Sequence, residues 1–301
     1  MPDRSMNGIY PILSMPFDED DRIDQEDLER ETQFAIDSGV HGVGIAMASE
    51  VYKLSETERD LATTTVVEQA RGQVKVVVNT GSQGTSLALQ YSHRAEELGA
   101  DAVMVAPPNI ITPSADELFE YFGRIARTIS IPIFMQDFPT APIPPSVAGK
   151  ISKKFENACY AKVEAPPTPP RVAATVHEGK GNLIVFGGAG GTMLIEELRR
   201  GAVGTMPHCA VPELFRKVWD ALQSGNPSKA ENEFSRMENI LRIISQGGGA
   251  SSLAIVKEIL RLRGIFKTAQ VRHPSTTLDK ITLREIQSAV ENSGITTITN
   301  P

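Results

Sequence analysis

Hydrophobic residues follow two alternating patterns along this chain. Short runs rich in Val, Ile and Ala are typical of buried strands, and they alternate with longer stretches whose apolar residues recur at helical spacing. Eight strands are predicted from the short runs: 9–15, 42–46, 75–79, 102–106, 132–136, 160–163, 183–187 and 202–206. Seven of these eight strands are separated by segments that are long enough to form a helix. This count predicts a (β/α)8 TIM barrel rather than an open doubly wound sheet.

Polar residues at the starts of several helical stretches support this interpretation. Asp24 is placed to cap a helix that runs through Ile36 and stops at Gly39. Ser55 with Glu58, and Ser114 with Glu117, have the spacing of a capping box, in which each side chain satisfies the backbone N–H of the other residue.

The pattern changes after the eighth predicted strand. Four helical stretches follow without strands between them, at residues 212–224, 227–245, 253–263 and 282–292. The last of them opens with a possible capping box at Thr282 and Glu285. We therefore predict a (β/α)8 barrel catalytic domain over residues 1–225 and a C-terminal helical extension, packed on the barrel, over residues 226–301.

Composition narrows the class of partner. The chain has 301 residues, 41% of them hydrophobic and 22% charged, a net charge of −7 and a pI near 5.4. An acidic balance disfavours general nucleic-acid binding and attachment to a membrane surface, so we expect small-molecule partners. The first residues lack the apolar core of a signal peptide, and no apolar run has the length of a membrane span, so we expect a cytoplasmic protein.

Metal and cofactor signatures are weak. Cys159 and Cys209 lie in different segments and are expected to be reduced packing residues. The five histidines show no metal-ligand spacing, and no Gly-x-Gly-x-x-Gly turn follows the first strand. We expect neither a metal nor a cofactor. The histidines are His41, His93, His177, His208 and His273.

One lysine stands at the end of a predicted strand. The run from Tyr160 to Val163 must stop near Glu164, because the prolines that follow cannot continue a ladder. Side chains alternate along a strand, so Lys162 and Glu164 leave the same face and can reach each other. The pair is open to two interpretations, an ordinary salt bridge or a catalytic amine with an acid–base partner. A buried lysine can lose its charge and attack a carbonyl carbon.

Two further segments lie where a barrel binds its ligand. The glycine-rich stretch 187–191 follows the seventh strand, and three functions are open for it: phosphate binding, close approach to a substrate carboxylate, or a tight turn. His208 comes just after the eighth strand, on the face where barrel enzymes bind substrate. No Gly-x-Ser-x-Gly nucleophile elbow is present.

Several motifs together resemble one enzyme family. They are the segment 50–55 with Glu58 and Arg59, Gly81 and Thr85 after the third strand, segment 137–139, Lys162, segment 201–204 and segment 271–274. The chain resembles the dihydrodipicolinate synthase and N-acetylneuraminate lyase family of class I, Schiff-base lyases. This resemblance implies a TIM barrel that is commonly a homotetramer, and it implies that Lys162 condenses with a 2-oxo acid.

The chain also departs from the synthase pattern. Met47 and Ala48 replace paired threonines before Ser49, so the resemblance retains only backbone N–H groups there for a substrate carboxylate. Gln136 replaces the proton-shuttling tyrosine, and an amide cannot transfer a proton at ordinary pH. Ala141 stands where an arginine is expected.

These departures favour a branch that includes dehydratases of 2-keto-3-deoxy sugar acids. The predicted catalytic residues are Lys162, Glu164 and Gln136, with Glu164 as the base and Gln136 as an orienting amide. The predicted substrate-binding residues are Met47, Ala48, Ser49, Gly188, Met206 and His208.

Three hypotheses follow. The first is a lyase that dehydrates or cleaves a 2-keto-3-deoxy sugar acid through a Schiff base on Lys162, and both outcomes use the same enamine. The second is a dihydrodipicolinate synthase or an N-acetylneuraminate-type aldolase that uses pyruvate. The third is a non-catalytic binding or regulatory barrel. A homo-oligomer, either a dimer or a tetramer, is expected in each case.

Overall fold

The computed structural model describes residues 1–295, and in it strands and helices alternate as the sequence predicts. The strands are Gly8–Ile9 (β1), Gly42–Ile45 (β2), Lys75–Asn79 (β3), Ala102–Val105 (β4), Ile133–Asp137 (β5), Tyr160–Val163 (β6), Ile184–Gly187 (β7) and Gly204–Thr205 (β8). They form one eight-stranded sheet in the order β1-β8-β7-β6-β5-β4-β3-β2. The pairing of β1 with β8 is parallel. The predicted fold class, a (β/α)8 barrel with additional C-terminal helices, is confirmed.

Helices follow the strands, and further helices complete the chain. Seven of the described helices precede β8 in the chain: Gln25–Asp37 (α1), Glu56–Ala70 (α2), Thr85–Glu97 (α3), Ala115–Ala126 (α4), Pro145–Lys154 (α5), Thr168–Gly179 (α6) and Leu194–Leu198 (α7). Those after it are Pro212–Gln223 (α8), Pro227–Ser235 (α9), Glu238–Gln246 (α10), Gly249–Leu262 (α11) and Lys280–Asn292 (α12). No helix within residues 1–295 is long and apolar enough to cross a membrane.

The described chain divides into two compact units. The first unit contains Met1–Tyr10 and Val74–Pro207, and the second contains Pro11–Gln73 with the described residues from His208 onward. The predicted boundary between residues 1–225 and 226–301 stays a prediction. Residues 296–301 of the predicted extension lie outside the described residues.

Aromatic side chains fill the interior of the first unit. The Phe134 and Tyr160 rings are stacked with centroids 4.4 Å apart, and the Phe186 ring meets Phe134 edge-on at 5.3 Å. Tyr10 packs edge-on against Phe186 at 5.3 Å. Since side chains alternate along a strand, the residues two positions after Phe134 and Tyr160 leave the same face of the sheet. This aromatic layer therefore supports Gln136 on β5 and Lys162 on β6.

The capping predictions have different outcomes. The boxes at Ser55 and at Ser114 are both confirmed, and each serine side chain accepts from the backbone N–H three residues later. The box at Thr282 is wrong, because Asp279 caps α12 and accepts from the N–H groups of Ile281 and Thr282. Asp279 lies one turn before Thr282, and it satisfies the Thr282 N–H group that the Glu285 side chain would have satisfied in the predicted box.

Several other element boundaries differ from the predictions, and two of these differences change an element substantially. The helix predicted over residues 227–245 is two helices, α9 and α10. The first strand ends at Ile9 rather than continuing to residue 15. Pro11 has no N–H to donate to a ladder, and Ile12 then makes isolated bridges with Gly44 and His208.

The second unit contains a buried cluster of charges. Lys257 is 1% exposed and donates to the carboxylate of Glu50, which is fully buried, and to the Gln270 carbonyl. The other Glu50 oxygen accepts from Lys53 at 2.8 Å. Lys53 also donates to the Arg272 carbonyl. The cluster therefore ties the segment after β2 to the segment after α11 inside the second unit.

Candidate active site

The first unit brings Lys162 and Glu164 together. The Lys162 Nζ and Glu164 Oε1 atoms are 3.0 Å apart, and the two side chains are 4% and 11% exposed. The prediction that they leave one face within reach of each other is confirmed. Their chemical roles stay a prediction.

Backbone pairing explains why the alternation continues past the end of β6. The N–H groups of Glu164 and Ala165 both donate to the Asp137 carbonyl, at 3.0 and 2.9 Å. Glu164 therefore keeps the strand-like direction of Lys162 although β6 ends at Val163. Asp137 is held in turn by Arg171, which also donates to the Ile143 carbonyl at 2.8 Å.

Two amides extend this pair into a hydrogen-bonded row. The Gln136 Nε2 atom donates to Glu164 Oε2 at 2.7 Å, and the Asn79 Nδ2 atom donates to Gln136 Oε1 at 3.0 Å. Gln136 and Asn79 are each 1% exposed. We call these four residues, Lys162, Glu164, Gln136 and Asn79, the Lys162 row. The Asn79 donor fixes which end of the Gln136 amide faces Glu164.

The absence of a side chain on Gly188 leaves room for the side chain of Glu164. A Cβ atom on Gly188 would lie 2.4 Å from the Glu164 Cγ atom, which is closer than carbon atoms can approach without displacement. The turn after β7 then directs the Ala189 N–H toward Glu164 Oε1 at 3.3 Å. The predicted site residue Gly188 thus lies against the carboxylate of Glu164.

The contacts of Lys162 leave it capable of reaction. An ammonium carries three donors, and Lys162 has one ion-pair partner within residues 1–295. The short distance to Glu164 allows a proton to pass from the amine to the carboxylate, which would give a neutral nucleophile beside a protonated acid. The arrangement can therefore support attack on a carbonyl carbon followed by acid–base steps.

The remaining predicted binding residues are divided between the units. Met206 is buried just after β8 in the first unit, and its N–H donates to the Gly187 carbonyl at 3.2 Å. In the second unit, Met47 and Ala48 open a short 3-10 turn and are half-buried. His208 is half-buried and bridges to Ile12. Contact of these four residues with substrate stays a prediction.

Ser49 has a local role that the sequence does not reveal. Its hydroxyl accepts from the Ala46 N–H at 3.0 Å and donates to the Leu13 carbonyl. Ser49 is fully buried, so this hydroxyl helps to fix the turn that contains Met47 and Ala48. Its predicted contact with substrate is untested.

Sequence reasoning missed Asn79. It is the last residue of β3, and an amide at the C-terminal end of a barrel strand is a recognisable signal for the active face. The packing expectation for the cysteines is confirmed, since both Cys159 and Cys209 are buried free thiols. Within residues 1–295, no group of three or more His, Cys, Asp or Glu side chains is arranged to hold a metal ion.

Comparisons with known proteins show which sequences this chain is similar to. The L-2-keto-3-deoxyarabonate dehydratase of Azospirillum brasilense is 29% identical over 289 residues, which cover 93% of this chain and 92% of that protein. A 4-hydroxy-tetrahydrodipicolinate synthase of Methanococcus maripaludis is 27% identical over 296 residues, covering 96% of this chain and 99% of that protein.

A solved structure gives the same result for the fold. The dihydrodipicolinate synthase from Thermotoga maritima superposes with a TM-score of 0.90 at 21% identity, covering 96% of this chain and 99% of that chain. The sequence profile described as the dihydrodipicolinate synthetase family matches residues 5–293. The chain therefore belongs to the dihydrodipicolinate synthetase family and is a lyase of that family.

Proposed function

We propose that this protein dehydrates a 2-keto-3-deoxy sugar acid through a Schiff base on Lys162. The observation that carries the proposal is the Lys162 row, in which a buried amine lies 3.0 Å from a carboxylate that an amide orients from its other side. The similarity to a protein named L-2-keto-3-deoxyarabonate dehydratase supports the same substrate class. L-2-Keto-3-deoxyarabonate is accordingly the first substrate to test.

The first half of the reaction forms the Schiff base. Glu164 takes a proton from the Lys162 ammonium, and the neutral amine attacks C2 of the substrate to give a carbinolamine. Glu164 then returns its proton to the departing C2 hydroxyl, which leaves as water. The products of this half are an iminium on Lys162 and an ionised Glu164.

The second half removes water from C3 and C4. The carboxylate of Glu164 takes a proton from C3, and the iminium accepts the electron pair as an enamine. The enamine expels the C4 hydroxyl, which takes the proton back from Glu164 and leaves as water. Hydrolysis of the remaining iminium releases the product and restores Lys162. Gln136 holds the carboxylate in place by donating to Oε2, and it carries no proton itself.

Borohydride trapping tests the Schiff base directly. The protein is incubated with pyruvate or with L-2-keto-3-deoxyarabonate, reduced with borohydride and digested for mass spectrometry. We expect the reduced adduct on the peptide that contains Lys162. The absence of an adduct with every 2-oxo acid tested would overturn the proposal and favour a non-catalytic barrel.

Glu164 is tested separately from the lysine. Glu164→Gln should keep adduct formation but slow turnover by about two to four powers of ten, because the amide cannot accept the C3 proton. Glu178→Gln on α6 is a matched control whose turnover should equal that of the unmodified protein. A Glu164→Gln variant with full turnover would assign another base.

The synthase reaction is the second candidate, supported by the similarity to proteins named 4-hydroxy-tetrahydrodipicolinate synthase. Gln136 disfavours it, because the resemblance implies a proton-shuttling tyrosine at that position. Supplying pyruvate with aspartate semialdehyde distinguishes the two. Turnover of this pair at a rate above that of the sugar acid would favour the synthase.

We also propose that the protein is a cytoplasmic homo-oligomer, either a dimer or a tetramer. Ile110 and Ile111 follow β4 in the first unit and are 81% and 82% exposed, and adjacent exposed isoleucines are typical of a covered surface. The free thiols of Cys159 and Cys209 fit a reducing compartment. Light scattering should give a multiple of the chain mass, and replacing both isoleucines with aspartate should lower it.

A further inference from the structure

A second buried carboxyl lies close to the glycines that accommodate Glu164. Glu197 on α7 is 1% exposed, and its Oε1 atom accepts from the Thr168 hydroxyl. Its Oε2 atom has no hydrogen-bond partner within residues 1–295. A buried carboxylate oxygen without a donor is costly, so this side chain requires an explanation.

The position of Glu197 suggests an explanation for its oxygen without a hydrogen-bond partner. A Cβ atom on Gly187 would lie 1.8 Å from Glu197 Oε2, and a Cβ atom on the next residue, Gly188, would meet Glu164 Cγ at 2.4 Å. Two consecutive glycines at the end of β7 therefore make room for two different carboxyl groups. One of these groups belongs to the Lys162 row, and the other, Glu197, has no ion-pair partner in the described part of the chain.

The surroundings of Glu197 favour its neutral form. The Thr168 hydroxyl of α6 contacts Glu197, Gly187 of β7 lies against it, and the Thr205 hydroxyl of β8 lies beside the same Gly187 position. None of these groups is charged. The charged groups that act on it are Glu164 and Glu196, which are both acidic. Burial is the largest cause that raises the pKa of Glu197 to about 7, the negative charge of Glu164 raises it further, and the Thr168 hydrogen bond opposes the rise.

We propose that Glu197 is a positioning residue that controls the charge around the Lys162–Glu164 pair. In its neutral form it leaves Glu164 as the anion that faces Lys162, and in its ionised form it adds a second buried negative charge. This inference rests on the proposed Schiff-base function of Lys162.

The direction of the effect follows from electrostatics. A second anion stabilises the Lys162 ammonium and so lowers the fraction of neutral amine that can capture a ketone. The ionised form of Glu197 should therefore slow imine formation, while the neutral form should permit it. Glu197→Gln has the shape of the neutral acid and cannot ionise, so its imine formation should lack this inhibition.

The experiment measures the rate of imine formation with pyruvate, by borohydride trapping on the full chain, from pH 5.5 to 9. The ratio of the unmodified rate to the Glu197→Gln rate should be constant at low pH and should fall by about three- to tenfold as the pH rises through 7, since one pKa unit of coupling is tenfold. Thr168→Val removes the hydrogen bond that favours the carboxylate, so the fall should move to higher pH. Glu178→Gln should reproduce the unmodified profile.

The outcomes separate this inference from the proposed function. If the unmodified protein forms no adduct at any pH, the proposed function is wrong and the inference is overturned with it. If adducts form but the ratio is independent of pH, the inference alone is overturned, because a purely structural Glu197 changes the rate equally at every pH. Should Glu197→Gln fail to fold, an unshifted profile in Thr168→Val would overturn the inference.

Discussion

Within residues 1–295, each unit contains a buried lysine, Lys162 or Lys257, that pairs with a glutamate, and the surroundings of the two lysines differ. Lys257 in the second unit donates to Glu50 and to the Gln270 carbonyl, and it lies 4.5 Å from the centre of the Phe17 ring. Lys162 in the first unit has one ion-pair partner within residues 1–295, and that partner, Glu164, is held by an amide. The first arrangement gives its lysine two acceptors and an aromatic ring, whereas the second gives its lysine one ion-pair partner and leaves more donors available for a substrate.

The difference shows which property identifies a reactive lysine. Burial lowers the pKa of Lys257 to about 8, and a search for a perturbed lysine would select this residue. The Lys257 amine, however, is already engaged by the Glu50 carboxylate, the Gln270 carbonyl and the Phe17 ring. If Lys162 forms the Schiff base as proposed, available donors and an adjacent proton carrier indicate a reactive lysine better than a lowered pKa does.

Loss of Lys162 should mainly affect activity, whereas loss of Lys257 should mainly affect stability. The larger effect is expected for Lys162. Lys162→Met should abolish both the borohydride adduct and turnover, because no other residue of the row can form an imine. Its folding should be less affected, since Glu164 keeps the donors Gln136 and Ala189. Mass spectrometry and a dehydratase assay measure the first result, and thermal unfolding the second. An adduct on Lys257 in this variant would mean that Lys257, and not Lys162, is the reactive lysine.

Lys257→Met should instead reduce stability. The change leaves a Glu50 oxygen and the Gln270 carbonyl buried without this donor, which is expected to lower the free energy of unfolding by about 3 kcal/mol. Denaturant unfolding measures the loss, and replacing Glu50 by Gln in the same chain should recover part of it. The exposed Lys229→Met is the matched control. Unchanged stability in Lys257→Met would remove the structural role assigned to this pair.

Glu197 extends the comparison to a buried carboxyl without a lysine. Because its pKa rises to about 7 in the folded chain from an ordinary value of 4.5, the folded state binds more protons between these values. Its contribution to stability is complete below about pH 4.5 and is lost as the pH rises through 7. The free energy of unfolding of Glu197→Gln minus that of the unmodified protein should therefore increase by about 2 kcal/mol between pH 4.5 and pH 8. Urea unfolding at both pH values measures this, and a constant difference would mean that Glu197 does not titrate in this range.

The sequence predicts the fold well where the pattern is local. β3 and β6 have the predicted bounds, because buried runs of strand-forming residues end at a polar residue or at prolines. The sequence analysis predicts no bounds for α5 and α6. Both helices begin among prolines, and the prolines after Val163 indicate only where the β6 run ends. Proline is well suited to the first turn of a helix, where its missing N–H would have no acceptor.

The residues of the candidate site also fall into two groups, those that the sequence predicts and those that it does not. Lys162 and Glu164 could be predicted from alternation along one strand. Asn79 lies at a recognisable strand end, but its contact with Gln136, 57 residues away, could not be predicted, and neither could the contact of Glu197 with Thr168, 29 residues away. Contacts of this kind depend on which strands become neighbours, and one strand's periodicity contains no information about them.

The smallest predicted effect is at the far end of the Lys162 row. Asn79→Ala removes the donor that orients the Gln136 amide, so Glu164 loses part of its alignment, and turnover should fall by about tenfold while adduct formation is unchanged. Ser92→Ala is the matched control, because it removes a buried hydrogen bond of 2.8 Å to Thr80, next to Asn79 in the chain, without touching the row. If Asn79 acts through Gln136, the double variant Asn79→Ala/Gln136→Ala should be no slower than Gln136→Ala alone. If the turnover losses of the two single variants add in the double variant, Asn79 acts on the reaction independently of Gln136. The two amides would then not orient Glu164 as one hydrogen-bonded row.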